Sequence, residues 1–175
     1  LYQYFHTERK EETFALLQKN IKITKERIPA ATQLFTPDWI VRYMVENSVG
    51  KLWLEQHPNA ELEKKWTYYL KSNNTLNQET RSIELRPQDI TVLDPCMGSG
   101  HILVYAFDIL MDIYGAVGYT KKEAAGQIIA HNLYGLEIDD SVSELAHFVI
   151  MMKARFYDET ILEQSRCIHV CSIQE

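Results

Sequence analysis

The sequence has 175 residues, of which 46% are apolar and 24% charged. That composition excludes a disordered or fibrous chain and provides for one globular domain with a core. Its longest largely apolar runs, Ile102 to Phe107 and His147 to Met152, fall well short of the ~20 residues that cross a bilayer, so a soluble protein is expected. A formal net charge of −6 with pI near 5.5 argues against a domain that grips a phosphate backbone unaided.

Three cysteines, Cys96, Cys167 and Cys171, occur without a secretory leader, which speaks for a reducing cytoplasm rather than a disulfide framework. The first residue is Leu1, and the chain is expected to be a piece of a longer one.

Residues 1–28 are rich in Glu, Lys, Arg and Gln, with Phe5, Phe14, Leu17 and Ile21 at helical intervals, and predict one or two amphipathic helices. Lys19, Lys22, Lys25 and Arg27 could touch a phosphate backbone, but mixed charge along a helix is ordinarily a solvated face, and that reading is preferred. Pro29 to Phe35 reads as a loop. In Thr36-Pro37-Asp38 the threonine can cap a helix, the proline suits its first position and the aspartate complements the dipole. Ile40, Val41, Met44, Val45 and Leu52 then form the expected buried stripe, and His57-Pro58-Asn59 closes the helix. Residues 60–89 predict a helix followed by a loop through Asn73-Asn74 to Arg86-Pro87, with Trp66, Tyr68 and Tyr69 packing rather than stacking on a ligand.

From residue 90 the pattern changes. Ile90 to Asp94 is β-rich, Pro95 to Gly100 is turn-rich, and Ile102, Leu103, Ala106, Phe107, Leu110 and Ile113 recur at helical spacing. Thr120-Lys121-Lys122-Glu123 is a capping box opening a helix toward Ala130. Leu133 to Ile138 reads as a second strand. Asp139-Asp140-Ser141 caps a helix with Leu145, Phe148, Val149 and Met152 inward, and Cys167 to Ile173 reads as a third strand. Strands alternating with helices imply an α/β fold with a parallel sheet. The expected division is a helical extension over 1–89 and an α/β half over 90–175.

Asp94-Pro95-Cys96-Met97-Gly98-Ser99-Gly100, between strand and helix, is the strongest chemical signal, because glycines let a backbone approach a ligand and the following helix presents free amides. A phosphate-cradling P-loop is excluded, since His101-Ile102 stand where Lys and Ser or Thr are required. A dinucleotide fingerprint would need a small residue where Leu103 stands. An S-adenosylmethionine loop remains. Glu137, ending the second strand, is read as the acceptor for two ribose hydroxyls, with Asp139 and Asp140 as helix caps. Cys167, His169 and Cys171 would share one strand face; a packed face is preferred over a metal site, which lacks a fourth ligand. Cys96 lies near His101, but loop packing is preferred over a nucleophile. Met151-Met152 are expected in the core.

On these residues the chain resembles the gamma-type, N6-adenine-specific DNA methyltransferases, particularly the Eco57I-like and phage-exclusion (PglX-like) groups. Gln33-Leu34-Phe35-Thr36-Pro37 is similar to motif X, Leu93 to His101 to motif I, and Tyr134-Gly135-Leu136-Glu137-Ile138-Asp139 to motif II, in that order. The resemblance implies a partial Rossmann-like methyltransferase sheet. It implies that Phe35, Thr36 and Pro37 line the methionine end of S-adenosylmethionine, that Asp94, Pro95, Cys96, Gly98 and Gly100 surround its amino-acid and sulfonium part, and that Glu137 holds the ribose while Ile138 packs on the adenine.

The chain departs from the family's pattern: no Asn-Pro or Pro-Pro pair occurs in it, so the Asn-Pro-Pro-aromatic motif that holds the flipped base is missing, and neither a motif III acid nor a target-recognition region is identified. The expectation is the cofactor-binding part of a bacterial, cytoplasmic restriction-modification or phage-defence methyltransferase acting on double-stranded DNA, inactive alone. It has no catalytic residue and no metal site of its own, does not meet a membrane, and self-associates through an unpaired sheet edge. A non-catalytic assembly module is the alternative; an NAD-linked oxidoreductase is disfavoured by Leu103 and the Asp-Pro pair.

Overall fold

The computed structural model describes residues 7–19, 21–22, 24, 36–71, 84–163 and 168–173 and divides into two compact units, 1–37 and 38–175. Phe5, Lys25, Arg27, the loop from Pro29 to Phe35, Asn73-Asn74 and Cys167 lie outside the described residues. In the first unit, helix α1 (Thr7–Gln18) buries Thr13 and exposes Phe14, as the following segment does Ile21. Of the apolar positions read from the sequence there, Phe14 and Ile21 are therefore exposed rather than buried.

In the second unit α2 (Asp38–Val45) runs on through a π-helical turn, Glu46–Gly50, into α3 (Lys51–Leu54). Val41, Val45, Val49 and Trp53 are buried, whereas Met44 and Leu52, expected in the stripe, are exposed. The π turn is the reason. A strict α-helix carries a four-residue repeat around its axis by ~40° per step, and the wider turn cancels that drift. Gly50 completes the arrangement, since a Cβ there would lie 2.9 Å from the Trp66 ring. Asn59 caps α4 (Ala60–Lys65), its Oδ1 accepting from the amides of Glu61 at 2.9 Å and Leu62 at 3.2 Å. Trp66 is buried with Tyr69 edge-on to it, the packing role expected for these aromatic residues.

Three parallel strands, β1 (Val92–Asp94), β2 (Leu133–Glu137) and β3 (His169–Ser172), form a sheet in the order β1-β2-β3. Between β1 and β2 run α5 (His101–Ala116) and α6 (Lys121–Gln127), the latter opened by the expected capping box, in which the Thr120 amide donates to Glu123 and the Glu123 amide to Thr120. Between β2 and β3 runs α7 (Asp140–Arg155), capped by Asp139, which accepts from the Val142 amide at 3.1 Å. Helices α5 and α7 pack on the strands and on each other, and the sheet is a partial Rossmann-like methyltransferase fold.

Helix α7 does not bury the stripe expected of it. Val142, Ala146, Ile150 and Ala154 face the core, while Phe148 is 61% exposed and Met152 is also exposed. Small residues win because α7 lies close to the chain beneath it: a Cβ at Gly100 would meet Ala146 at 3.3 Å, a spacing that a phenyl ring would prevent. The opposite face of the sheet presents Leu93, His169 and Cys171 to solvent. The expected packing of the last two therefore does not occur; His169 instead stacks on Tyr134, centroids 4.6 Å apart.

At the amino ends of the strands, fully buried Asn132 ties β1 to β2. Its Nδ2 donates to the carbonyls of Pro87 at 2.8 Å and Ile90 at 2.7 Å, and its Oδ1 accepts from the Tyr114 hydroxyl at 3.0 Å. Replacing Asn132 by alanine removes three buried hydrogen bonds and is expected to lower stability by about 3 kcal/mol. Urea unfolding should show a lower midpoint at unchanged slope; an unchanged midpoint would mean that these bonds hold nothing together.

Candidate functional site

The carboxyl ends of β1 and β2 carry a loop whose shape follows from a few backbone bonds. Asp94 ends β1, and its Oδ1 accepts from the Cys96 amide at 3.1 Å, a local turn typical of aspartate. The Met97 amide then donates to the Leu136 carbonyl at 3.0 Å, which carries β1–β2 pairing past the end of β1. Met97 is buried as a result, and it occupies space that only a glycine in β2 leaves. A Cβ at Gly135 would lie 2.3 Å from Met97 Sδ and 2.9 Å from Leu103 Cδ1.

Beyond Met97 the chain turns through left-handed conformations at Gly98 (φ 54°) and Gly100 (φ 79°), which favour glycine. Gly100 is packed against α7, but a Cβ at Gly98 would meet nothing within 4 Å. The Gly98 amide donates to Glu137 Oε2 at 2.8 Å. Glu137 Oε1 accepts from Ile138 at 2.8 Å and from Asp139 at 3.3 Å. A carboxylate offers about four lone-pair positions, so these three bonds leave Oε2 able to accept again. Ile138, beside it, is 81% exposed.

The second carboxylate is Asp94, 8% exposed. Its Oδ2 is buried with no hydrogen-bond partner. Burial pushes its pKa upward; the Cys96 amide opposes this and the charge of Glu137 adds to it. Two acids, an open glycine and an exposed apolar side chain thus converge, an arrangement suited to a ligand that offers hydroxyls, a positive group and an apolar ring.

Of the residues expected at a site, Asp94, Pro95, Cys96, Gly98, Gly100, Glu137 and Ile138 lie on this one stretch of loop and strand end. Cys96 is exposed rather than packed, because the turn directs Met97 inward instead. Phe35 lies outside the described residues, and Thr36 and Pro37 belong to the first unit. Among the described residues no group of three or more His, Cys, Asp or Glu is placed to hold a metal. The sequence reading missed Glu46, buried at 1% exposure, whose carboxylate accepts from the Tyr68 amide at 2.6 Å and the Tyr105 hydroxyl at 2.5 Å. Its signal was a lone acid in the otherwise uncharged stretch from Tyr43 to Gly50.

Because burial raises the Asp94 pKa above its unfolded value, the folded chain binds this proton more readily than the unfolded one. The carboxylate therefore opposes folding at neutral pH and ceases to do so once pH falls below its unfolded pKa. Asp94→Asn, which keeps an acceptor for Cys96, is expected to add about 1 kcal/mol of stability at pH 7.5. Thermal unfolding across pH should show the gain shrinking toward acid; a variant less stable than the parent at pH 7.5 would refute this account.

The family described as MmeI, DNA-methyltransferase domain, matches residues 45–170. The chain is 42% identical over 166 residues to the adenine-specific methyltransferase PglX of Lacticaseibacillus casei (strain Zhang), a match covering 89% of this chain and 14% of that protein. It is 39% identical over 181 residues to the adenine-specific methyltransferase BrxX of Escherichia coli O9:H4 (strain HS), covering 100% of this chain and 15% of that protein. The chain thus spans about a seventh of the length of these relatives. Among the described residues no helix is long and apolar enough to cross a membrane. With the family match extending from the end of α2 into β3 and including the whole glycine loop, the chain belongs to the MmeI-type DNA-methyltransferase domain family.

Proposed function

We propose that the loop from Asp94 to Gly100, with Glu137 and Ile138, binds S-adenosylmethionine, and that this chain is the donor-binding part of a site-specific DNA adenine-N6 methyltransferase. The observation that carries the reading is the Gly98–Glu137 hydrogen bond beside an open glycine, with a buried, unpartnered Asp94 oxygen on the same loop. These residues fit the cofactor. Glu137 keeps a lone pair for the ribose hydroxyls. Ile138 offers an apolar seat for the adenine, and a positive ammonium or sulfonium would offset the burial and the Glu137 charge that raise the Asp94 pKa. Pro95, Cys96, Gly98 and Gly100 would line the amino-acid portion, and Phe35, Thr36 and Pro37 its methionine end.

When bound, the cofactor supplies a methyl group on a sulfonium for transfer to the exocyclic amine of an adenine in double-stranded DNA. The Asn-Pro-Pro-aromatic element is absent from these residues, so we assign donor binding, and not transfer, to this chain by itself. The two relatives' names support adenine methylation, and for the parent protein we propose a role in marking host DNA for restriction-modification or phage defence in a bacterial cytoplasm. The three-stranded sheet has β1 at one edge, and we propose self-association there; a monomer by light scattering at high concentration would exclude it.

Calorimetric titration with S-adenosylhomocysteine tests the cofactor reading. Saturable binding is expected, weakened tenfold or more by Glu137→Ala, a loss of the order given by hydrogen bonds to a charged group, and abolished by Gly98→Asp, which puts a carboxylate into the open space. A folded chain that does not bind, or that binds equally well with both changes, would refute it.

A further inference from the structure

We infer that Glu46 and Tyr105 are positioning residues for the donor site, an inference that rests on the cofactor reading above. Helices α2 and α5 pack side by side, and polar groups form rungs along their seam. Asp38 Oδ1 lies 3.9 Å from His101 Nε2. The Arg42 guanidinium, 2.6 Å from Asp38, sits 5.1 Å from the centre of the Tyr105 ring. The Tyr105 hydroxyl donates to Glu46 Oε1 at 2.5 Å. Positions 38, 42 and 46 follow at four-residue spacing along one helical stripe, and 101 and 105 along the other.

Glu46 is where this seam departs from ordinary packing. A carboxylate so deeply buried is tolerated only when its oxygens are hydrogen-bonded, and an apolar pair of similar volume would hold two helices together as well or better. What the hydrogen-bonded carboxylate adds is direction. One oxygen fixes the Tyr105 hydroxyl, and the other holds the Tyr68 amide at 2.6 Å. The adjacent Asn47 secures the same segment, donating to the Tyr68 carbonyl and accepting from the Leu70 amide, both at 2.8 Å. Glu46 and Asn47 both project from the π turn, a local geometry often found at functional sites. Burial and the Glu46 charge push the Tyr105 hydroxyl pKa upward, which keeps it a donor. The ladder ends at His101, directly after Gly100, and so fixes the downstream anchor of the glycine loop while Met97 and Glu137 fix the upstream one.

The test is titration of the chain with S-adenosylhomocysteine in Tyr105→Phe, Glu46→Gln and the double variant, with Gly98→Asp and Asn132→Ala alongside and melting temperatures measured for all. Tyr105→Phe removes one oxygen and leaves the ring beneath Arg42. Each single change is expected to weaken binding about tenfold, and the double variant to be no weaker than the worse single one, since the two groups act as a pair. Asn132→Ala, at the other end of the strands, should melt lower yet bind within twofold of the parent. If Gly98→Asp abolishes binding while Tyr105→Phe and Glu46→Gln bind as the parent does, the positioning role is overturned and the cofactor reading survives. If Gly98→Asp binds like the parent, the cofactor reading itself falls.

Discussion

The Gly98 amide donates to Glu137 at 2.8 Å across the carboxyl ends of two neighbouring parallel strands. Parallel pairing brings β1 and β2 to this point in register, with Asp94 opposite Gly135, and the chain leaving β1 must turn at once to enter α5. The hydrogen bond to Glu137 decides how it turns. Gly98 and Gly100 take left-handed conformations, Met97 is driven inward, and Gly135 must lack a side chain because Met97 occupies its space. The close approach of α7 at Ala146 follows from the same turn. A single carboxylate at a strand end therefore sets requirements on a loop 39 positions earlier in the chain.

The site is also where the chain departs from its own stability. Asp94 is buried with an unpartnered oxygen near a second carboxylate, and Ile138 stands in solvent. Neither feature serves folding. Away from the site, Asn132 makes three hydrogen bonds and Glu46 two, while the ring nitrogen Nδ1 of His57 is also buried without a partner. What marks the site is that several local rules are broken together on one loop and strand end, the pattern expected of a functional site.

Much of this was legible in the sequence because it depended on short-range chemistry. The strand-loop-helix order around Asp94 to Gly100, the capping box at Thr120 and the Asp139 cap all rest on residues a few positions apart, and the structure places them as read. The failures concern which side of a helix faces inward. Met44 and Leu52 were misplaced because the π turn changes the period of the helix, and nothing in residue type announces such a turn. Phe148 and Met152 were misplaced because size was taken as a guide to burial, whereas close packing on Gly100 selects alanine. Glu46 escaped notice because its partners Tyr68 and Tyr105 are 22 and 59 positions away, a relation only the tertiary fold creates.

Among the described residues two thiols are in contact with solvent, at chemically different places. Cys96 lies within the glycine loop and Cys171 on the open side of the sheet, beside His169 on β3. A small alkylating reagent therefore has a target at each of these places, and the thiolate form of each governs its rate. Protection of Cys96 reports what settles at the strand ends; protection of Cys171 reports what covers the sheet. Peptide mapping of a single labelling reaction thus separates occupancy of the loop from burial of the face, two events that a melting temperature would merge into one number.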